Sequence, residues 1–449
     1  QKRLPKPHQK KAIGDAHKHF IKDAQSRGRL IMPCGTGKSL TAFWIANKLN
    51  AQSIVVAVPS LNLIKQSLED WTREFEAIGE KHRPSWKIIC SDKSVSSLEN
   101  DEFVTDVASL GVPTTDLNDL TKFLKDSTKG KKIIFTTYQS SQILAEAARK
   151  TKFRFDFAIL DEAHKTVGEK SKSFATLLSD RNIQIKKRMF MTATERVLKG
   201  KNDDVHSMDD VSVYGERFYQ LTFKAAIQSK PNIISDYKIL TIAISDGQIK
   251  ELVQKNRLLS DKKGKINDQE AQSLAAAIAL RQATKQYGIK HAISFHKSIK
   301  SAEKFTALNL DLNELKGNKV NLTSFHISSK KTTGERSRLI EDFKSESLAL
   351  MTNARCLTEG VNIPAIDCVL FADPKQSIVD IVQAAGRALR VSKGKKFGYI
   401  MLPIVVPDKT SIEKFTESTP FKQESRIITA LSTQDERIVD ELKFKAEGK

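Results

Sequence analysis

Eight consecutive residues, Met32 to Ser39 (MPCGTGKS), carry the densest chemistry in the chain. They continue the short apolar run RLIM and lead into SLTAFWIANKL, a pattern that predicts a strand, a glycine-bearing loop and a helix. In such a loop Gly35 and Gly37, with Thr36 between them, let backbone N–H groups turn inward, and the helix N-terminus adds its positive dipole end. Lys38 can then reach the β- and γ-phosphates of a nucleotide, and the Ser39 hydroxyl can ligate Mg²⁺. One position departs from G-x-x-x-x-G-K-[ST], since Met32 stands where the first glycine would be. A second signal is FDFAILDEAH, an apolar strand that ends in Asp161 and Glu162. Charges directly after a buried strand are costly unless partnered, and Mg²⁺ is the natural partner. Asp161 would hold the metal through its waters and Glu162 would polarise an attacking water. The plain alternative is a solvated acidic turn. The run RMFMTAT delivers Thr192 and Thr194 to the same edge.

Other groups fit the same chemistry less sharply. Gln9 precedes the loop on a helical stretch, HQKKAIGDAHKHF; its amide can pair with the adenine edge, or it is an ordinary surface residue. Hydroxyls gather where further strands end, at Ser60, Thr136 and Thr137, where each can cap a helix and the set can hold phosphates. In the second half, TNARCLTEGVNIPAID and QAAGRALR stand out. Gln383, Arg387 and Arg390 fall at i, i+4 and i+7, which predicts one helical face. Two arginines there are either solvated or bound to phosphate, and they act as arginine fingers if that face closes over the first domain.

These residues need elements to carry them. The runs SIVVAV, KIIC and KKIIFTTYQ read as strands of one α/β domain. The alternation then restarts near Asn232 with HAISFH, NLTSFHIS, SLALMTN, CVLFAD and FGYIMLPIVV, preceded by a helix near Glu270 to Tyr287. The polar stretch from Ser91 to about Pro113 is expected to be an insertion or mobile loop. We therefore expect domains at 1–230 and 231–405, and a linker and helix over 406–449 leading to a further domain. The chain of 449 residues carries 74 Lys and Arg against 53 Asp and Glu, so its net charge of +21 points to a polyanionic partner, nucleic acid first. Four scattered cysteines suit a reducing compartment rather than a disulfide framework or zinc site. No apolar run approaches a membrane span and no signal peptide is visible, although the chain begins at Gln1 and is expected to be an excerpt. No nuclease or methyltransferase motif is evident.

Taken together and in order, Gln9, MPCGTGKS, VPSLNLIKQ, IIFTTYQ, DEAH, TAT, HAISFH, TNARCLTEGVNIP and QAAGRALR resemble the superfamily-2 helicases and translocases of the DEAH type. The wording is most similar to the restriction-enzyme branch, the type I and type III motor subunits and the helicase-like part of single-polypeptide restriction-modification enzymes. The resemblance covers roughly Lys6 to Val406. It implies an α/β fold of two tandem RecA-like parallel-sheet domains with a nucleotide cleft between them. It also implies an ATP- and Mg²⁺-dependent motor on nucleic acid, double-stranded DNA above all, with few aromatics for base stacking.

By the same resemblance Gln9 reads adenine, Gly35, Thr36, Gly37, Lys38 and Ser39 hold phosphate and metal, and Asp161 and Glu162 are the metal and water acids. Thr192 and Thr194 couple hydrolysis to motion, Glu359 and Gly360 sense nucleotide, and Gln383, Arg387 and Arg390 complete the site. Ser60, Thr137, Thr352, Thr358 and His296 touch the nucleic-acid backbone. Asn362 stands where the family often has Asp. A cytoplasmic, bacterial-type, nucleoid-associated enzyme is implied, with nuclease, methyltransferase or specificity domains outside this piece. The rival reading is an ATP-switched clamp that grips without travelling; a small-molecule P-loop enzyme is more remote.

Overall fold

A computed structural model describes residues 2–79, 84–90, 113–127, 130–169, 173–198, 204–245, 268–315, 319–328, 330–354, 366–373, 378–392 and 394–406, with isolated positions at 247, 249, 427, 428, 431, 435, 437 and 438. The expected insertion after Ser91 lies, but for Pro113, outside the described residues. The chain divides into two compact units, Gln1–Leu221 and Thr222–Lys449.

The first unit holds β1 (Arg27–Ile31), β2 (Ser53–Val58), β3 (Ser85–Ile89), β4 (Lys132–Thr137), β5 (Phe155–Leu160), β6 (Gly168–Glu169), β7 (Ile185–Thr192), β8 (Val205–His206) and β9 (Glu216–Gln220). Seven of them form one sheet in the order β3-β4-β2-β5-β7-β1-β9, and every pairing in it is parallel. The short β6 and β8 pair antiparallel apart from it. β2 and β4 are buried at all positions, which is why SIVVAV and KIIFTT read as near-continuous apolar runs rather than alternating ones. Helices α1 (Pro7–His17), α2 (Lys38–Lys48) and α3 (Leu61–Ile78) lie in the same unit; α1 runs on into a single π-helical turn, Lys18–Lys22.

The second unit holds β10 (Asp236–Ser245), β11 (His291–Phe295), β12 (Thr323–Ile327), β13 (Ala349–Asn353), β14 (Cys368–Phe371) and β15 (Phe397–Val406) in one sheet, order β10-β15-β14-β11-β13-β12, again all parallel. Side chains alternate between its two faces. Ala292, Leu350, Leu370 and Met401 join one core cluster, and Ile293, Met351, Val369, Ile400 and Leu402 join the other. Both faces are thus covered, the condition for an all-parallel sheet. Ile427, Leu431 and Ile438 belong to the second of these clusters.

The fold is therefore α/β with two parallel sheets in tandem, the RecA-like plan. Two strands of these parallel sheets, β9 and β10, were not named from the sequence. Both are edge strands with a partner on one side only, and β9 is mostly exposed, so neither shows a long buried run.

Candidate functional site

Because the first sheet is wholly parallel, the carboxyl ends of its strands share one edge, where ligands of open α/β sheets bind. β1 ends at that edge in the phosphate loop, β2 before Ser60, β4 at Thr137, β5 before Asp161 and β7 at Thr192. β7 lies between β1 and β5, so the loop and the acids are two strand spacings apart, about 10 Å. The Met32 amide donates to the Thr192 carbonyl at 3.0 Å, which locks the start of the loop to β7.

The loop has the backbone expected of a phosphate cradle. Gly35 (φ 83°) and Gly37 (φ 84°) both occupy the left-handed region. Gly37 is the N-cap of α2, and a Cβ placed on it would fall 2.6 Å from Gln9 Nε2. Thr36 closes the turn through its hydroxyl on the Pro33 carbonyl at 2.7 Å, and Lys38 Nζ lies 3.3 Å from the Met32 carbonyl. Gln9 is buried; it accepts the Lys6 amide at 2.9 Å and donates to the Gly37 carbonyl at 3.3 Å. An amide has a second N–H and further lone-pair capacity, so the adenine edge remains open to it.

Ser39 Oγ is buried and has no hydrogen-bond partner among the described residues. An orphaned hydroxyl at the start of a helix below the loop fits a metal ligand. Among the described residues no three His, Cys, Asp or Glu gather to hold a metal by themselves. A divalent ion here would rest on Ser39, Asp161, water and phosphate oxygens, the set Mg²⁺ favours. The residues present thus fit a magnesium nucleoside triphosphate.

Asp161 and Glu162 are both buried. Asp161 Oδ1 accepts the Glu162 amide at 2.9 Å, and Tyr138 donates its hydroxyl to the Asp161 carbonyl at 2.7 Å. Glu162 has φ 49° and ψ 46°, a left-handed conformation that costs a non-glycine residue roughly 1 kcal/mol or more. The strain turns its carboxylate to within 3.5 Å of His164 Nδ1. That nitrogen also lies 2.9 Å from Thr192 Oγ1. Since Thr192 spends its one hydroxyl proton on the Thr194 carbonyl (2.9 Å), His164 Nδ1 carries the hydrogen between them. Thr194 Oγ1 is buried without a partner among the described residues. Arg29 of β1 reaches the next residue, donating to Glu195 at 2.7 Å and to the Met208 and Gly215 carbonyls. The phosphate strand and the exit of the TAT run are therefore tied together.

The remaining sequence candidates are placed less uniformly. Ser60 is the N-cap of α3, yet its hydroxyl makes no cap bond and is buried without a partner among the described residues. Thr137 is buried and donates to Ser140 Oγ at 3.1 Å. In the second unit Thr352 is fully buried, with its hydroxyl 2.6 Å from Thr306 Oγ1 and 3.0 Å from His326 Nδ1. His296 is buried too, 2.9 Å from Ser294 Oγ and 3.6 Å from Asp373 Oδ2. Both side chains have internal partners, so direct contact with a nucleic-acid backbone needs those bonds exchanged. Thr358, Glu359, Gly360 and Asn362 lie outside the described residues.

Gln383 and Arg387 sit buried on the helix Ile378–Ala388. The helix ends at Ala388, two residues before Arg390, whose Nε is buried. The segment that follows the helix is pinned from two sides. Lys395 Nζ donates to the carbonyls of Ile366, Ala388 and Arg390 at 2.5, 2.6 and 3.1 Å, and the Ser235 amide takes the Leu389 carbonyl at 2.7 Å. Carbonyls so engaged do not accept amides four residues on, so the helix gains no further turn beyond Arg390. Gly398 of β15 lies directly beneath: a Cβ there would be 2.1 Å from the Ala388 carbonyl oxygen. Burial pushes the Lys395 ammonium down to about 8, against the pull of Asp367. Neither Lys395 nor Gly398 was singled out from the sequence, and no local motif marks them.

Known proteins resemble the chain in sequence and in fold. Residues 2–196 match the family model of the type III restriction enzyme res subunit, and residues 275–392 match the helicase conserved C-terminal domain. A solved structure of the ATP-dependent Type ISP restriction-modification enzyme LlaBIII bound to DNA aligns over 98% of this chain at 26% identity with a TM-score of 0.78. A nuclease-deletion mutant of the Type ISP enzyme LlaGI, in complex with a DNA substrate mimic, aligns over 98% at 25% identity and a TM-score of 0.65. "Probable helicase A859L" of African swine fever virus (isolate Pig/Kenya/KEN-50/1950) is 24% identical over 94% of this chain. The chain spans 30% of each Type ISP enzyme and 43% of the viral protein. Helicase families use ATP and bind nucleic acid, and membership implies an ATP-hydrolysing motor. With the two family regions in this order on two parallel sheets, the chain belongs to the superfamily-2 helicases and translocases, in their restriction-enzyme motor branch.

Proposed function

We propose that the chain is an ATP-driven motor region that travels along double-stranded DNA within a restriction or anti-phage defence enzyme of the bacterial cytoplasm. The observation that carries this reading is the likeness, along 98% of the chain, to a Type ISP enzyme bound to DNA, combined with a phosphate loop whose Ser39 hydroxyl is left for a metal. Bound Mg²⁺ would supply charge neutralisation at the β- and γ-phosphates. Lys38 and the loop amides hold the triphosphate, Asp161 and Ser39 the metal, and Glu162 orients and deprotonates the water, held by the Thr192–His164 pair. Gln383, Arg387 and Arg390 act in ATP hydrolysis and Glu359 and Gly360 sense nucleotide, while Thr358 contacts the nucleic-acid backbone. Nuclease, methyltransferase and specificity functions belong to parts outside this piece. A net charge of +21 suits backbone contact, which is sequence-independent and salt-sensitive.

Displacement of a triplex-forming strand from duplex DNA tests the proposal. ATP-dependent displacement is the expected result. Retention on DNA without displacement means an ATP-switched clamp, and hydrolysis indifferent to duplex DNA rejects the motor altogether.

A further inference from the structure

Two neighbouring side chains of α1 hold two successive carbonyls of the phosphate loop. His8 is buried, with Nε2 3.0 Å from the Thr36 carbonyl oxygen, and Gln9 Nε2 donates to the Gly37 carbonyl at 3.3 Å. A carbonyl oxygen only accepts, so His8 Nε2 carries the hydrogen. Burial holds the imidazole below its ordinary range, with Lys6 adding to the effect against the Thr36 bond. Near neutral pH His8 is therefore uncharged, and it contributes direction rather than attraction.

The direction matters because a trans peptide is planar, with its C=O and N–H pointing opposite ways. Fixing the Thr36 carbonyl toward α1 turns the Gly37 N–H away from α1. The Gly37 carbonyl, held by Gln9, the Thr41 amide (3.0 Å) and Thr41 Oγ1 (2.9 Å), turns the Lys38 N–H outward in the same manner. The other bonds of Thr36, from its amide and its hydroxyl, both go to the Pro33 carbonyl. They leave the carbonyl of Thr36 itself to His8.

We propose that His8 is a positioning residue of the phosphate cradle, fixing the Thr36–Gly37 peptide so that the Gly37 amide faces the triphosphate whatever the base. The inference rests on the loop holding nucleotide phosphates, as proposed above. Gln9 has a share in the same loop but is also the residue that reads the base, so the two can be separated by the ligand used.

The test is calorimetric binding of MgATP, MgGTP and magnesium tripolyphosphate to the whole chain, as wild type, His8→Phe, His8→Gln and Gln9→Ala. His8→Phe keeps a buried ring and loses the donor. It should weaken all three ligands by a common factor of about tenfold, the scale of one lost hydrogen bond, and leave the ATP-to-GTP ratio unchanged. His8→Gln, which restores an N–H, should recover most of that loss, and Gln9→Ala should narrow the ATP-to-GTP ratio. In steady state His8→Phe should raise the KM for ATP while saturated kcat stays within about twofold, the mark of lost uniform binding. If the ring variant does not fold by circular dichroism, His8→Ala takes its place. Tripolyphosphate binding at wild-type strength in the donor-less variant, or a loss confined to ATP, overturns the inference. A wild-type chain that binds none of the three ligands overturns the nucleotide reading itself.

Discussion

In the first unit the backbone itself is aimed at the ligand. Glycines at positive φ open the loop, α1 holds its carbonyls from outside, and the inward face is left to N–H groups and one orphaned hydroxyl. In the second unit the candidate chemistry lies in side chains, and the backbone around them is tied down. Lys395 and Ser235 take the carbonyls at the end of the arginine helix, so Arg390 sits in a fixed turn just past it. A loop built from glycines announces itself in sequence, because only a few residue types tolerate that backbone. A turn fixed by a lysine five residues away does not.

The largest effect should come from the second unit. On the proposal that its arginines act in ATP hydrolysis, Arg390→Ala should lower ATP turnover by about 10³-fold or more while leaving nucleotide binding largely intact. An unchanged turnover number would reduce the arginine turn to a structural feature and end the comparison. In the first unit Glu162→Gln should retain MgATP, because Asp161 and Ser39 remain, and lose turnover by about 10²- to 10⁴-fold, the range of a general base. Hydrolysis at the wild-type rate in single-turnover assays would show that the strained backbone at Glu162 serves some other purpose.

How far the sequence reached follows the same division. The phosphate loop, the strand ending in Asp161 and Glu162, and the TAT edge were legible because each is a continuous run with its chemistry at one end. Five of the six strands of the second sheet were legible from their apolar runs. The i, i+4, i+7 spacing of Gln383, Arg387 and Arg390 predicted a helix through Arg390, whereas the helix ends at Ala388. The carbonyls of Ala388 and Arg390 that follow are bonded by Lys395, a tertiary contact no periodicity contains. His8 was passed over for a similar reason: its partner, Thr36, lies 28 residues away. The edge strands β9 and β10 lack the two-sided burial that marks their neighbours. Strand order was not readable either, since sheet neighbours such as β1 and β7 are far apart in the chain.

A smaller effect sharpens the contrast. Lys395→Met keeps length and loses all three donations, so turnover should fall about tenfold with MgATP binding retained. Wild-type turnover should also decline above about pH 8, where the buried ammonium deprotonates and gives up one of its bonds. The stability trend runs the other way. The unfolded chain keeps that proton to about 10.5, so between about 8 and 10.5 it binds more protons than the folded chain, and folding stability rises with pH. The methionine variant should lose both slopes. A wild-type alkaline limb that survives in Lys395→Met would assign it to another group.

The smallest effect is one of stability alone and belongs to the layer under His296. Burial works against the Asp373 charge. Hydrogen bonds from His296, Ser301 and the Lys297 amide outweigh it and hold the carboxyl at about 2. A depressed folded pKa stabilises above the unfolded value of 3.8, and that contribution is lost as pH falls through about 2. After allowance for solvent screening it amounts to about 1–2 kcal/mol. Asp373→Asn should lose that much at pH 7, and the gap from wild type should close at strongly acid pH. All three tryptophans, Trp44, Trp71 and Trp86, belong to the first unit, so the loss should appear in the unfolding followed by circular dichroism and leave the tryptophan-fluorescence transition in place. A matching shift of the fluorescence transition would mean that the two units unfold as one, and that their sites, though built differently, share a single stability.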